Sequence, residues 1–300
     1  MLEQLCKEVY VKKMTMYISI IANIINVVGN IIGVFALKAG VAGVAYPSLI
    51  ACLFSAIAIT ILCFKTNQEA YCTKDDVMTW DVPMLSRILK IAIPNGVENG
   101  IFQLVKVALG SVVALFGTYQ IAANGIAQSI WSLAALVGSA MGPVFITVIG
   151  QCQGAQDDEA TQYYFKKLMK ITLIFSIVWN GIVFALTPIF MQFYAVSEQT
   201  KELVIILVLI HNVFNTVAFS FSGSLSNGLK ATGDVKYTMI VSIASTVGGR
   251  LMLSIILGVY CHMGVIGIAY AMYLDWTIRA VIFYMRYRSG KWKEFQLVGE

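Results

Sequence analysis

Five ionisable side chains fall inside long apolar stretches of this sequence: Glu98, Lys106, Arg250, Asp275 and Arg279. At bilayer depth such a group costs at least about 2.5–3.5 kcal/mol, so it faces protein or water and marks a path for ions or solutes. Glu98 has the chemistry to exchange a proton or a metal cation. At 100° per residue it shares one arc of about 140° with Asn95, Asn99, Gln103, Lys106 and Gly110. Val97, Ile101, Leu104 and Leu115 occupy the opposite, apolar side. Pro94 removes a backbone donor just before this stripe, freeing a carbonyl for a cation or allowing a bend. Glu98 and Lys106 lie about 12 Å apart along the axis, too far to pair on one helix. Two readings of Glu98 stay open: an exchange site for H+ or Na+, or a carboxylate satisfied by a neighbouring helix or by Lys106.

Asp275 and Arg279 are spaced i, i+4 and can pair on one face. Arg250 precedes them on an antiparallel helix within reach of Asp275, which makes the three an ion cluster tying a helix pair or a coupling element. His211, Asn212 and Asn215 follow one another on another helix, where the histidine is either a structural hydrogen bonder or a titrating group. Asn124 and Gln128 with Trp131 suit amphipathic organic ligands, and Gly138, Gly142 and Pro143 mark a bend. The candidate cation and substrate residues are therefore Glu98, Asn99, Gln103, Lys106, Asn124, Gln128, His211 and Asn215. Ser19, Asn23, Asn26, Asn30 and Gly33 form a narrow stripe suited to interhelical hydrogen bonds and close approach. Cysteines at 6, 52, 63, 72, 152 and 261 have no C-x-x-C spacing, and His211 and His262 stand apart. No metal site, disulfide framework or cofactor is expected beyond a coupling ion.

The elements that position these residues must be membrane helices. The chain of 300 residues is 58% hydrophobic and 12% charged, half the ~25% charge of soluble domains. That excludes a water-soluble enzyme, a disordered chain and a nucleic-acid binder. Eight stretches are long enough to span: 17–37, 41–63, 85–117, 121–149, 170–190, 203–226, 237–259 and 264–285. An all-α membrane protein with eight transmembrane helices is expected. With both termini on one face, sixteen lysines and arginines (among them Lys7, Lys65, Lys166, Lys230 and Arg286) lie on that face and two, Lys38 and Lys201, lie opposite. The positive-inside rule then places both termini in the cytoplasm of a multi-pass cell-membrane protein. Residues 64–84, mixing Asp75, Asp76 and Asp81 with lysines, read as a cytoplasmic interlobe linker, and 288–300 as a cytoplasmic tail.

Gly40-Val41-Ala42-Gly43-Val44-Ala45-Tyr46 matches Gly264-Val265-Ile266-Gly267-Ile268-Ala269-Tyr270 at five of seven positions. The spacing of 224 residues (264 less 40) sets the start of the first copy about 130 residues upstream of Met1. Residues 1–63 are then the last helix pair of an N-terminal bundle, and 85–287 are a complete C-terminal six-helix bundle. Four earlier helices are the expected intramolecular partner.

Three segments carry a family resemblance: Ile91-Ala92-Ile93-Pro94-Asn95-Gly96-Val97-Glu98-Asn99, Ile149-Gly150-Gln151-Cys152-Gln153-Gly154-Ala155, and Leu229-Lys230-Ala231-Thr232-Gly233-Asp234. In this order they resemble the seventh helix, the end of the eighth and the loop after the tenth in the multidrug and toxic compound extrusion (MATE) antiporters. The resemblance implies two bundles that alternate between inward and outward openings, exporting organic cations and drugs as Na+ or H+ enters. It matches Glu98 to the cation-binding acid of the seventh helix. His211 and Asn215 stand where an acid is absent from the tenth. The alternative reading is a flippase for lipid-linked precursors, which a basic cavity would favour. An enzyme is not expected, since H-E-x-x-H and a serine with a helical histidine partner are both missing.

Overall fold

The computed structural model describes residues 2–64, 82–192, 194 and 196–294. Most of the expected linker, including Asp75, Asp76 and Asp81, and the end of the tail lie outside these residues. Among them the chain is helical, with eight stretches long and apolar enough to cross a membrane, from Met14–Ala36 to Gly264–Arg288. Contacts divide it into two units, Met1–Leu85 and Ser86–Glu300.

The first unit is a helix pair, α1 (Leu2–Ile31) and α2 (Ala42–Cys63), which contact each other extensively. Without a hydrophobic drive between helices in lipid, small residues and hydrogen bonds must join them. Asn26 Nδ2 donates to Ser48 Oγ at 3.0 Å and Asn30 Nδ2 to Asn26 Oδ1 at 2.9 Å. Gly33 and Gly43 touch backbone to backbone: a Cβ on Gly33 would fall 2.1 Å from the Gly43 carbonyl oxygen. The polar stripe of α1 therefore acts as packing glue.

The second unit holds the rest of α3 (Val82–Ala114), then α4 (Thr118–Ala134), α5 (Leu136–Gly154), α6 (Asp158–Gln192), α7 (Glu198–Phe214), α8 (Ser220–Ala231), α9 (Val235–Ala244), the short α10 (Met252–Ile255) and α11 (Gly264–Arg288). π-helical turns interrupt the later spans at Asn215–Phe219, Ser245–Leu251 and Ile256–Tyr260. The wider π turn shifts the following side chains around the axis, which a constant 100° step does not anticipate.

The expected fourth span, 121–149, is two helices broken at Ala135. The break falls before Gly142–Pro143, and α5 continues through Pro143. Ala135 N–H donates to Trp131 O at 2.8 Å, while the Leu133 carbonyl accepts from Trp179 Nε1 at 2.7 Å. An indole on α6 thus satisfies a carbonyl at the break, where bilayer hydrocarbon offers no water. The helix α3 likewise runs unbroken through Pro94.

The sequence repeat is also a backbone repeat. A π turn at Ile32–Ala36 has its counterpart at Ile256–Tyr260. Leu37 N–H donates to Ile32 O and Cys261 N–H to Ile256 O, both at 2.9 Å. Lys38 and His262 take φ of 47° and 55°, and Gly40 and Gly264 take 56° and 58°. In each copy the following glycine closes the hairpin: a Cβ on Gly267 would lie 2.6 Å from the Leu257 carbonyl carbon.

Two cores hold the second unit. One gathers Leu207, Val208, Met272, Tyr273 and Trp276, with Trp131 stacked on Trp276 at 5.7 Å between centroids and edge-on to Phe219. This tryptophan is packed inside the bundle. The other joins Phe145, Phe165 and Phe283 to Trp292, which is 1% exposed in a 3-10 turn at Lys291–Glu294. The first residues of the expected tail are therefore folded. Many isoleucines and valines on the outer faces, Ile24, Val27, Ile57 and Ile174 among them, are exposed, as lipid-facing residues must be.

Candidate functional site

Inside the second unit, helices α3, α4, α7 and α11 and the π turn Ser245–Leu251 line an open cavity of about 280 Å³. The side of α3 supplies Lys106 and, one turn on, Gly110. Asn124 and Gln128, spaced i, i+4, present their amides from α4. His211 comes from the last turn of α7, Arg250 from the π turn, and Met272 from α11. Leu109, Val113 and Ile268 supply apolar wall.

The charges of this site are of one sign. Arg250 is 6% exposed. Its Nη2 donates to the Met272 sulfur at 3.0 Å, and its guanidinium lies 5.3 Å above the Phe102 ring. Its Nε has no hydrogen-bond partner. Lys106 Nζ approaches the same ring at 5.7 Å. Among the described residues neither cation has an ion pair, and no carboxylate lines the cavity. A thioether is a weak acceptor, and a ring quadrupole offsets only part of the buried Arg250 charge; Lys106 is exposed.

His211 is buried and edge-on to Tyr273. Its Nδ1 bonds to the Leu207 carbonyl; a carbonyl only accepts, so Nδ1 carries the hydrogen. Its Nε2 is buried and has no hydrogen-bond partner.

Of the eight candidate residues, Lys106, Asn124, Gln128 and His211 come together here. Glu98 does not join them. Its Oε2 is ion-paired with Lys230 Nζ at 2.8 Å, both side chains being about 15% exposed. Lys230 stands in the last turn of α8, so the partner comes from another helix and not from Lys106. Asn99 is exposed and donates to the Asn95 carbonyl at 2.9 Å; Gln103 is exposed as well. Asn215 is buried in a pair of its own, donating to Asn180 Oδ1 at 2.8 Å across α6.

The ion cluster also divides. Asp275, fully buried, pairs with Arg279 Nη2 at 2.8 Å and accepts from the Ser245 hydroxyl. Arg250 makes no close ion pair with Asp275; it lies on the π turn Ser245–Leu251 and lines the cavity. Sequence reasoning missed Phe102, Met272 and Lys230 as partners. Only Phe102, at i−4 from Lys106, carried a signal. It also gave Asp234 no role, although this residue, 2% exposed, holds Arg286 Nε at 2.7 Å. Among the described residues no cluster of three or more His, Cys, Asp or Glu is placed to hold a metal. A second hollow, about 640 Å³ beside Phe214, Phe221 and Tyr284, has no ionisable group other than the tyrosine phenol.

An all-helical, multi-pass membrane protein with a polar cavity inside one bundle is the class that fold and site define. The chain belongs to the MatE family, whose model matches residues 94–256. It is 26% identical over 291 residues to the uncharacterized transporter YisQ of Bacillus subtilis, a match covering 93% of this chain and 62% of that protein. The probable multidrug resistance protein NorM of Thermotoga maritima is 20% identical, with 85% and 54% covered. Among solved structures, an outward-facing multidrug resistance MATE family transporter of the MOP superfamily superposes with a TM-score of 0.79 at 20% identity, covering 91% of this chain and 61% of that one. That likeness establishes the fold. The chain spans 54–62% of the length of these relatives.

Proposed function

We propose that the protein is a secondary transporter that exports small organic solutes across the cell membrane by alternating access, in exchange for Na+ or H+. The cavity carries this reading: two cations without ion pairs, two amides and a histidine line about 280 Å³ of space among apolar spans. Polar groups at that depth are costly and are kept for handling a solute or an ion. The relative described as a probable multidrug resistance protein supports organic molecules as cargo. The excess of lysine and arginine on one face supports cytoplasmic termini. No enzymatic step is assigned.

Glu98 is the proposed acceptor of the coupling ion. A proton or Na+ arriving at its carboxylate competes with the Lys230 ammonium and frees α8 from α3. Coupling then requires that ion and solute favour different states. Organic cations, the class the resemblance implies, find no carboxylate in the cavity lining. The positive charge of the cavity favours the alternative, a flippase for lipid-linked precursors, while relatives described as probable multidrug resistance proteins favour a small solute, the reading preferred here.

The test is accumulation of fluorescent organic dyes in proteoliposomes holding the full-length protein under an imposed Na+ or pH gradient. Glu98→Gln is expected to abolish gradient-driven movement without affecting insertion. Wild-type rates in that variant would remove Glu98 as the coupling site, and no gradient-driven movement of any dye by the wild type would overturn the transporter reading.

A further inference from the structure

We propose that the cavity of the second unit is an anion site, taking the carboxylate or phosphate group of a small organic solute. It deepens the transport reading by naming a substrate class, and it rests on that reading only for its physiological meaning.

Three observations converge. Arg250 is more than nine-tenths buried, makes no ion pair, and offers an Nε with no acceptor. A guanidinium is a rigid fork of donors matched to carboxylate and phosphate oxygens, and the Met272 sulfur is a poor substitute. Lys106 shares the Phe102 ring with Arg250, so two like charges converge on one side of the space. An oxyanion between them relieves their repulsion and supplies the counter-charge that the lining lacks. Asn124 and Gln128 then stand on the cavity wall with amide N–H groups that can donate to the remaining oxygens. A cation placed here would meet two positive charges without a carboxylate to offset them. The proton on His211 Nδ1 is held by Leu207, so the ring cannot turn to satisfy Nε2 without breaking that bond.

The probes are naphthylacetate, naphthyl phosphate and, as the cationic match, naphthylmethylammonium. Equilibrium binding and thermal shift are measured on the full-length protein in detergent. At least one anion is expected to bind and raise Tm, with the cation doing neither. Arg250→Gln is expected to weaken the anion about tenfold or more and Lys106→Gln about three- to tenfold. Lys236→Gln, which removes an equal charge from an exposed position, leaves binding as in the wild type. Binding of the cation as tight as that of either anion, or unchanged anion binding in folded Arg250→Gln, overturns the site. Should Arg250→Gln fail to fold, unchanged binding in Lys106→Gln overturns it equally.

Nanodiscs of phosphatidylglycerol against phosphatidylcholine identify the source of the oxyanion. Displacement of the anionic probe by the anionic lipid alone assigns a headgroup, and displacement by neither lipid assigns a soluble solute. Displacement by both shows that charge is not read and overturns the proposal. Because binding needs no turnover, a protein that binds the anion yet moves no solute loses the transport reading and keeps the site.

Discussion

The Glu98 carboxylate and the Lys230 ammonium meet at 2.8 Å between α3 and α8. The acid expected to line a cavity is thus tied to the basic end of a neighbouring helix, and the cavity itself is left with unpaired cations. In the proposed mechanism, an ion that enters at Glu98 would act on the Lys230 pair, whereas a solute in the cavity would act on Arg250 and Lys106.

Removing Lys230 should leave a carboxylate without its partner. Lys230→Gln and Glu98→Gln each strand the other partner's charge and are expected to lower stability by similar amounts, while the double variant should lose less than their sum. The coupling in a double-mutant cycle should be about 1–3 kcal/mol, read by denaturant unfolding in detergent micelles. Additive single effects would show that the pair does not join the helices.

The two glycine contacts should be equally intolerant. Gly33→Ala and Gly267→Ala each place a methyl group against backbone and should cost about 1–3 kcal/mol. Gly96→Ala, where a Cβ meets nothing within 4 Å, should be neutral or mildly stabilising, since alanine favours helix. Thermal unfolding of the three variants makes the comparison.

Asp234 and Arg286 tie the loop after α8 to the end of α11 at 2.7 Å. Arg286→Gln should cost about 3 kcal/mol or more because Asp234 stays buried and charged. Asp234→Asn, which leaves an uncharged amide, should cost less. A larger loss from Asp234→Asn than from Arg286→Gln would contradict this order.

Gly110 faces the cavity, and a Cβ there meets no other atom within 4 Å. Gly110→Leu should therefore fold at least as stably as the wild type, leucine being the better helix former. The side chain should occupy the space and reduce solute binding about tenfold. Titration of the naphthyl anions reads the effect, and wild-type affinity would show that solutes do not enter beside this residue.

Much of this protein was legible in its residues. Hydropathy alone gives eight spans, because a bilayer demands long apolar runs whatever their neighbours. The repeat was legible too: Gly40 and Gly264 occupy positions where a left-handed turn is required, and Gly43 and Gly267 occupy positions where two backbones touch. Such requirements are local and leave their mark on residue type. The pairing of Asp275 with Arg279 followed in the same way from helical spacing.

What the tertiary structure alone decided is which polar group meets which. A uniform helical step put Glu98 and Lys106 on one stripe, yet their neighbours differ, Lys230 beside one residue and a cavity beside the other. Arg250 was expected beside Asp275, but its close contacts from the π turn Ser245–Leu251 are with Phe102 and Met272. The break at Ala135 depends on an indole that α6 brings to a carbonyl of α4. Partners of this kind are distant in sequence and are chosen by how helices rotate against each other, which hydropathy and spacing along one helix leave open.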